Sequence, residues 1–205
     1  MCVDNFNLIS SLLDYTIPNT LYFVQILKRR KENPDMKTGT KVVNNYFLYN
    51  KSDLDKIKHL IVYDCKHHNA RAYINLNRCD IEKVALKTIS LIVENITQGQ
   101  SDQVKHAYAK ACGNCNNENT PKWIIDLDQE HLPFIDQIRE AVNELHKEIE
   151  GTDNKLIAEI PTKNGVHFIS NPFNRREYNK RMSDIFKGNI TLPKVMNSSP
   201  TILFL

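Results

Sequence analysis

Apolar positions along this chain recur with two different periods, and the period assigns the elements. Leu21-Tyr22-Phe23-Val24-Gln25-Ile26-Leu27 is rich in aromatic and branched residues and reads as a strand. Val42 to Tyr49 reads as a second, able to pair with the first as a hairpin. Leu54, Ile57, Ile61 and Cys65 then recur at helical spacing, with Ser52 as the expected N-cap and the stop expected near His67-His68-Asn69. Arg71 to Leu76 alternates: Ala72, Ile74 and Leu76 share one face, and Arg71, Tyr73 and Asn75 the other. Asp80 is placed to cap a helix whose buried side carries Ile81, Val84, Ala85, Thr88, Ile89, Ile92 and Ile96.

The second half repeats the alternation of types. Trp123 to Leu127 is a strand, followed by a helix with Leu132, Ile135, Ile138, Val142, Leu145 and Ile149 inward and Gly151 as its closing residue. Leu156–Ile160 and Val166–Ser170 flank Lys163-Asn164-Gly165, and Asn-Gly is a favoured hairpin turn. A basic helix over 175–186 and a closing strand over 200–205 complete the chain, with a short helix expected over 6–15. Helices and strands interleave, and some strands must be antiparallel. The fold class expected is α+β, a mixed, largely antiparallel sheet with helices packed on it. Residues 1–69 form a strand-strand-helix N-terminal subdomain and residues 70–205 an α/β core, within one compact unit.

Composition narrows the classes. With 41% hydrophobic and 25% charged residues, the chain is that of a globular protein able to build a core. No apolar run reaches the roughly 20 residues of a membrane span, and the N-terminus lacks a signal-peptide pattern, so no membrane partner and a cytoplasmic location are expected. The net charge of +3 permits a nucleic-acid partner without requiring one. Two basic regions, Lys28-Arg29-Arg30-Lys31 and Arg175, Arg176, Lys180, Arg181, are either solvated faces or phosphate contacts. Five scattered cysteines argue for reduced thiols. Cys112-Gly113-Asn114-Cys115 has the spacing of half a zinc site, but no second close pair exists, and a structural zinc is disfavoured.

Chemistry concentrates in two stretches. Side chains two apart on a strand point the same way, so Asp126 and Asp128 stand together where the strand ends. Adjacent carboxylates repel, and a divalent cation such as Mg2+ or Mn2+ is the usual reason to tolerate that; otherwise they bond loop amides or cap the next helix. His167 sits in an apolar strand, either as a core histidine or facing the acids. Thr162, Lys163 and Asn164, in the preceding turn, and Arg71 are candidates for nucleotide or phosphate contact.

Asp126-Leu127-Asp128 followed by Gly165-Val166-His167 resembles the first two motifs of the archaeo-eukaryotic primase superfamily. The phrases Ala70 to Ile74, Trp123 to Asp128 and Thr162 to Phe173 resemble a set of uncharacterised bacteriophage and prophage proteins. The primase resemblance covers about 123–169 and implies an RRM-like core. In it Asp126 and Asp128 would ligate metal, and His167 would contact a nucleoside triphosphate. A third acid is expected on a later strand, yet Thr201 to Leu205 holds none; Glu159 is the substitute considered. The function expected is therefore metal-dependent nucleotidyl or phosphoryl transfer by a phage protein in the host cytoplasm. The alternatives are a binding module for nucleotide or nucleic acid that does not polymerise, and an accessory protein that binds a host protein.

Overall fold

The computed structural model describes residues 2–37, 39–114, 121–146, 155–188 and 190–205. Its elements are α1 (Phe6–Leu12), β1 (Thr20–Arg29), β2 (Thr40–Leu48), α2 (Lys51–His68), β3 (Arg71–Ile74), β4 (Cys79–Asp80), α3 (Ile81–Thr97) and α4 (Ala107–Asn114). They continue with β5 (Trp123–Leu127), α5 (Ile135–Asn143), β6 (Leu156–Pro161), β7 (Val166–Ser170), α6 (Arg175–Phe186), β8 (Lys194–Met196) and β9 (Thr201–Phe204). Two antiparallel sheets result, which makes the protein α+β. The first has the order β2-β1-β3-β9, with β4 on the end of β1; the second has the order β6-β7-β5-β8. The expected boundary at residues 69 and 70 falls between α2 and β3, and the ladder joining β1 to β3 runs across it.

Three apolar clusters hold these layers. The first sheet presents Val24, Ile26, Ala72 and Ile74 to a central cluster shared with α1 and α2, and Ile124, Ile160 and Ile169 of the second sheet enter the same cluster. Leu21 and Phe23, alternate residues of β1, face the other way onto α3 and α4. Trp123, Ile125, Leu127 and Phe168 face α5 and α6, which contribute Ile138, Val142, Tyr178, Met182 and Phe186. Alternation along β5 thus sends odd residues to one core and Ile124 to another, leaving Asp126 on the face turned toward the first sheet. Among the described residues, no helix is long and apolar enough to cross a membrane.

Local chemistry explains most boundaries. Helix α2 is capped by Asn50 rather than Ser52: the Asn50 side-chain oxygen Oδ1 accepts from the Ser52 amide, and the Asp53 carboxylate reaches back to accept from the Asn50 amide. Asn69 ends it with φ +47°, the left-handed conformation that asparagine tolerates. Asp80 caps α3 as expected. On α3, however, Ala85, Ile89 and Ile96 are exposed, and the buried stripe runs through Val84, Leu91 and Asn95. The helix after β5 begins as a 3-10 segment, Gln129–Phe134, containing Pro133, and α5 ends at Asn143; Ile149 and Gly151 lie outside the described residues.

The Asn164-Gly165 pair is not a positive-φ turn. Thr162 closes a four-residue loop instead, its amide donating to the Gly165 carbonyl and its hydroxyl accepting from the Gly165 amide. Glycine is needed for another reason. A Cβ at 165 would stand 1.9 Å from the Leu127 carbonyl oxygen, because the loop is pressed against the end of β5.

Candidate phosphate-binding cleft

The second sheet's inward face changes character along its strands. At one end it carries Ile124, Ile169 and Ala158, which pack into the central core. At the other end, register places Lys194 of β8 and His167 of β7 on either side of Asp126 of β5. Three polar side chains therefore lie in a row where the two sheets part. A cleft of about 410 Å³ opens there, lined by Asp126, Asp128, Thr162, Lys163, Asn164 and His167 from one side and Arg29, Lys31, Arg71, Tyr73 and Ile202 from the other. All the site residues expected from sequence border this one space.

Hydrogen bonds fix the floor of the cleft. His167 Nε2 lies 3.3 Å from Asp126 Oδ1, and His167 Nδ1 is 2.9 Å from the buried Thr201 hydroxyl. The imidazole is thus held at both nitrogens and turned to the acid. His167 and the burial of Asp126 pull in opposite directions. The hydrogen bond from His167 is the larger effect, and it holds the Asp126 carboxyl below the ordinary carboxylate range.

Asp128 is exposed, and its position is set by its backbone: the amide donates to His131 Nδ1 at 2.9 Å, while His131 Nε2 is 2.8 Å from the Thr191 carbonyl oxygen. That pattern requires Nδ1 without a proton and Nε2 with one, the neutral tautomer. His131 therefore pins the turn that carries Asp128, a role no sequence motif announced. Lys194 and Thr201 also escaped notice. One lies on a three-residue strand too short to show alternation, the other on a strand of the first sheet.

The opposite wall is basic. Arg71 pairs with Glu32, and Arg29 donates to the Tyr73 hydroxyl at 3.2 Å. Lys31 and Lys163 form no ion pair among the described residues. Arg71 Nε is buried and has no hydrogen-bond partner. Glu32 Oε2, in the same ion pair, is likewise buried without a partner. Tyr73 supplies an aromatic face in the same wall.

The substitute acid is placed elsewhere. Glu159 is on the helix-facing side of β6 and takes two bonds from Arg139, at 2.5 and 3.2 Å. Thr201–Phe204 forms β9 in the first sheet, and the strand beside β5 carries Lys194 opposite Asp126. Among the described residues, no group of three His, Cys, Asp or Glu side chains is arranged to hold a metal ion. Mg2+ is characteristically held by one or two carboxylates together with substrate phosphates. Asp126 and Asp128 fit such an ion only alongside a bound phosphate. Of the cysteine pair, Cys112 is buried and Cys115 lies outside the described residues.

Comparison of the chain with models of known families, with curated proteins and with solved structures finds no match.

Proposed function

We propose that the cleft binds the phosphates of a nucleotide or of a nucleic-acid strand. The observation that carries this reading is the convergence of Arg29, Lys31, Arg71 and Lys163 on one cleft whose floor is the His167–Asp126 pair. Arg71 is paired with Glu32, and Arg29, Lys31 and Lys163 remain as three cations against the two carboxylates of the floor, which favours an anion. Lysine acts there as a point charge, and arginine as a planar fork suited to phosphate oxygens. Tyr73 offers a stacking surface to a base. Asp126 and Thr201 hold the His167 ring in place on the floor of the cleft, beneath the bound phosphates.

A second reading is primase-like, metal-dependent nucleotidyl transfer. Two observations favour it. Asp126, Asp128 and His167 line the same cleft. The segment from β5 to β8 also has the order strand, helix, strand, strand, helix, strand, with β5 central beside β7 and β8 and both helices packed on one face. That order supports an RRM-like reading of the segment, since a split β-α-β unit has the same order of elements. In this reading Asp126 and Asp128 would hold Mg2+ or Mn2+ against the bound triphosphate, and the ion would offset charge on it. Lys194 beside Asp126 weighs toward binding without transfer.

The test is fluorescence anisotropy with a labelled nucleoside triphosphate, competed by an unlabelled single-stranded oligonucleotide. Saturable binding weakened at least tenfold by Lys163→Ala and by His167→Ala is expected. Competition by the oligonucleotide assigns the strand as ligand, and its failure assigns the free nucleotide. Absence of binding to either probe, with and without Mn2+, overturns the proposal. Primer extension or nucleotide incorporation that requires Mn2+ and is lost in Asp126→Asn would establish the second reading.

A further inference from the structure

A second basic groove lies beyond the cleft. It has a volume of about 700 Å³ and opens where α4 ends against the first sheet, lined by Gln25, Lys41, Asn45, His106, Lys110 and Asn114 among others. None of its described lining residues is acidic. Lys41 and Lys110 are exposed and form no ion pair among the described residues. The sheet itself joins this groove to the cleft. Helices α3 and α4 cover the outer face of β1 over Leu21 and Phe23. Two residues further on, Gln25 continues the same face. Register sets Gln25 between Asn45 of β2 and Tyr73 of β3, and cross-strand partners share a face. All three are half-buried, and Gln25 donates to Asn45 at 3.1 Å. Gln25 and Asn45 line the groove, while Tyr73 lines the cleft and accepts from Arg29 there. The row from Tyr73 to Asn45 spans about 10 Å, two strand spacings.

We infer that one single-stranded nucleic acid lies along this row, its phosphates held at one end in the cleft and at the other by Lys41 and Lys110. The inference rests on the phosphate reading of the cleft and names its ligand as a strand rather than a free nucleotide. A free nucleotide seated in the cleft leaves the cations of the groove, across the row, without an anion. A strand carries a charge at every link and meets both sets. Between them, the Tyr73 ring offers a stacking surface to an unpaired base. The amides of Gln25 and Asn45 both donate and accept, which suits base edges. A duplex keeps its bases paired and stacked on one another, out of reach of Tyr73. An acidic peptide would match the charge alone.

Fluorescence anisotropy of the full chain tests it, with a labelled nucleoside triphosphate and a labelled single-stranded oligonucleotide of about twelve residues as probes. The oligonucleotide should bind more tightly than the triphosphate. The double variant Lys41→Ala, Lys110→Ala changes two exposed side chains and should keep the parent melting temperature. It should weaken oligonucleotide binding at least tenfold and reduce the logarithmic salt slope by about 1.4, two phosphate contacts on a single strand, while leaving triphosphate binding unchanged. Oligonucleotide binding that ignores the double variant but is weakened by Lys163→Ala overturns the path along the sheet and leaves the cleft reading standing. Binding of neither probe overturns both. Competition by a duplex or by polyglutamate as strong as that by the unlabelled single strand overturns the assignment of a single nucleic-acid strand.

Discussion

At the residue scale, the behaviour of the cleft depends on pairs rather than on single groups. Asp126 is stabilised as a carboxylate by His167, so its proton affinity is lower in the folded protein than in the unfolded chain. The sign follows from that depression. The contribution is fully present above the ordinary carboxylate range and is lost as pH falls through the depressed value of the folded state. Chemical denaturation at a series of pH values should show Asp126→Asn less stable than the parent near neutrality, the difference shrinking as the solution is acidified. A constant difference from neutral to strongly acidic pH would show that the carboxylate charge contributes nothing. Gly165 is the other single position that matters. A Cβ there collides with a backbone carbonyl rather than a movable side chain. Gly165→Ala should cost about 1–3 kcal/mol and weaken ligand binding further by displacing Thr162, Lys163 and Asn164 from the cleft. Denaturant midpoints together with binding curves for this variant would check both effects.

At the element scale, the strands and helices that are long enough to show a period were legible. The alternation in β3 sends Ala72 and Ile74 inward and leaves Arg71 and Tyr73 for the cleft, as the pattern implies. The pair Asp126 and Asp128 was likewise readable, because a period of two needs only three residues. What escaped was either short or set by tertiary contact. β4 has two residues and β8 three, too few for any period. Ser52 and Asn50 are both good caps, and only the geometry of Asp53 selects Asn50. Asn164-Gly165 looks like a hairpin turn for its conformation, whereas its glycine answers a close approach from β5, which no local pattern records. On α3 the sequence holds enough apolar residues for two stripes, and periodicity alone does not say which one meets the sheet. For α2, Asn50→Ala should cost about 1 kcal/mol by removing the capping box, measurable as a lowered melting temperature with unchanged binding.

At the scale of the whole molecule, two antiparallel sheets share one apolar core and part from each other where their residues turn polar. The cleft is the place where that shared core stops. Its acids and His167 come from the second sheet, and most of its cations come from the first, so neither sheet alone completes it. This arrangement makes the basic wall separable from the acidic floor by mutation, and the two should respond differently to ionic strength. Cations that contact phosphates displace condensed counterions, and each contributes to the slope of affinity against salt.

The most direct measurement is therefore the salt dependence of binding to a single-stranded oligonucleotide, or to a nucleoside triphosphate if the strand does not bind, for the parent and for Arg29→Ala, Lys31→Ala and Lys163→Ala. For the oligonucleotide, each substitution should lower affinity and reduce the logarithmic salt slope by about 0.7, the contribution of one phosphate contact on a single strand. Substituting Lys180, on α6 and away from the cleft, should leave both unchanged. Binding that ignores salt, or that survives loss of all three cations, would contradict a cleft built to hold phosphate.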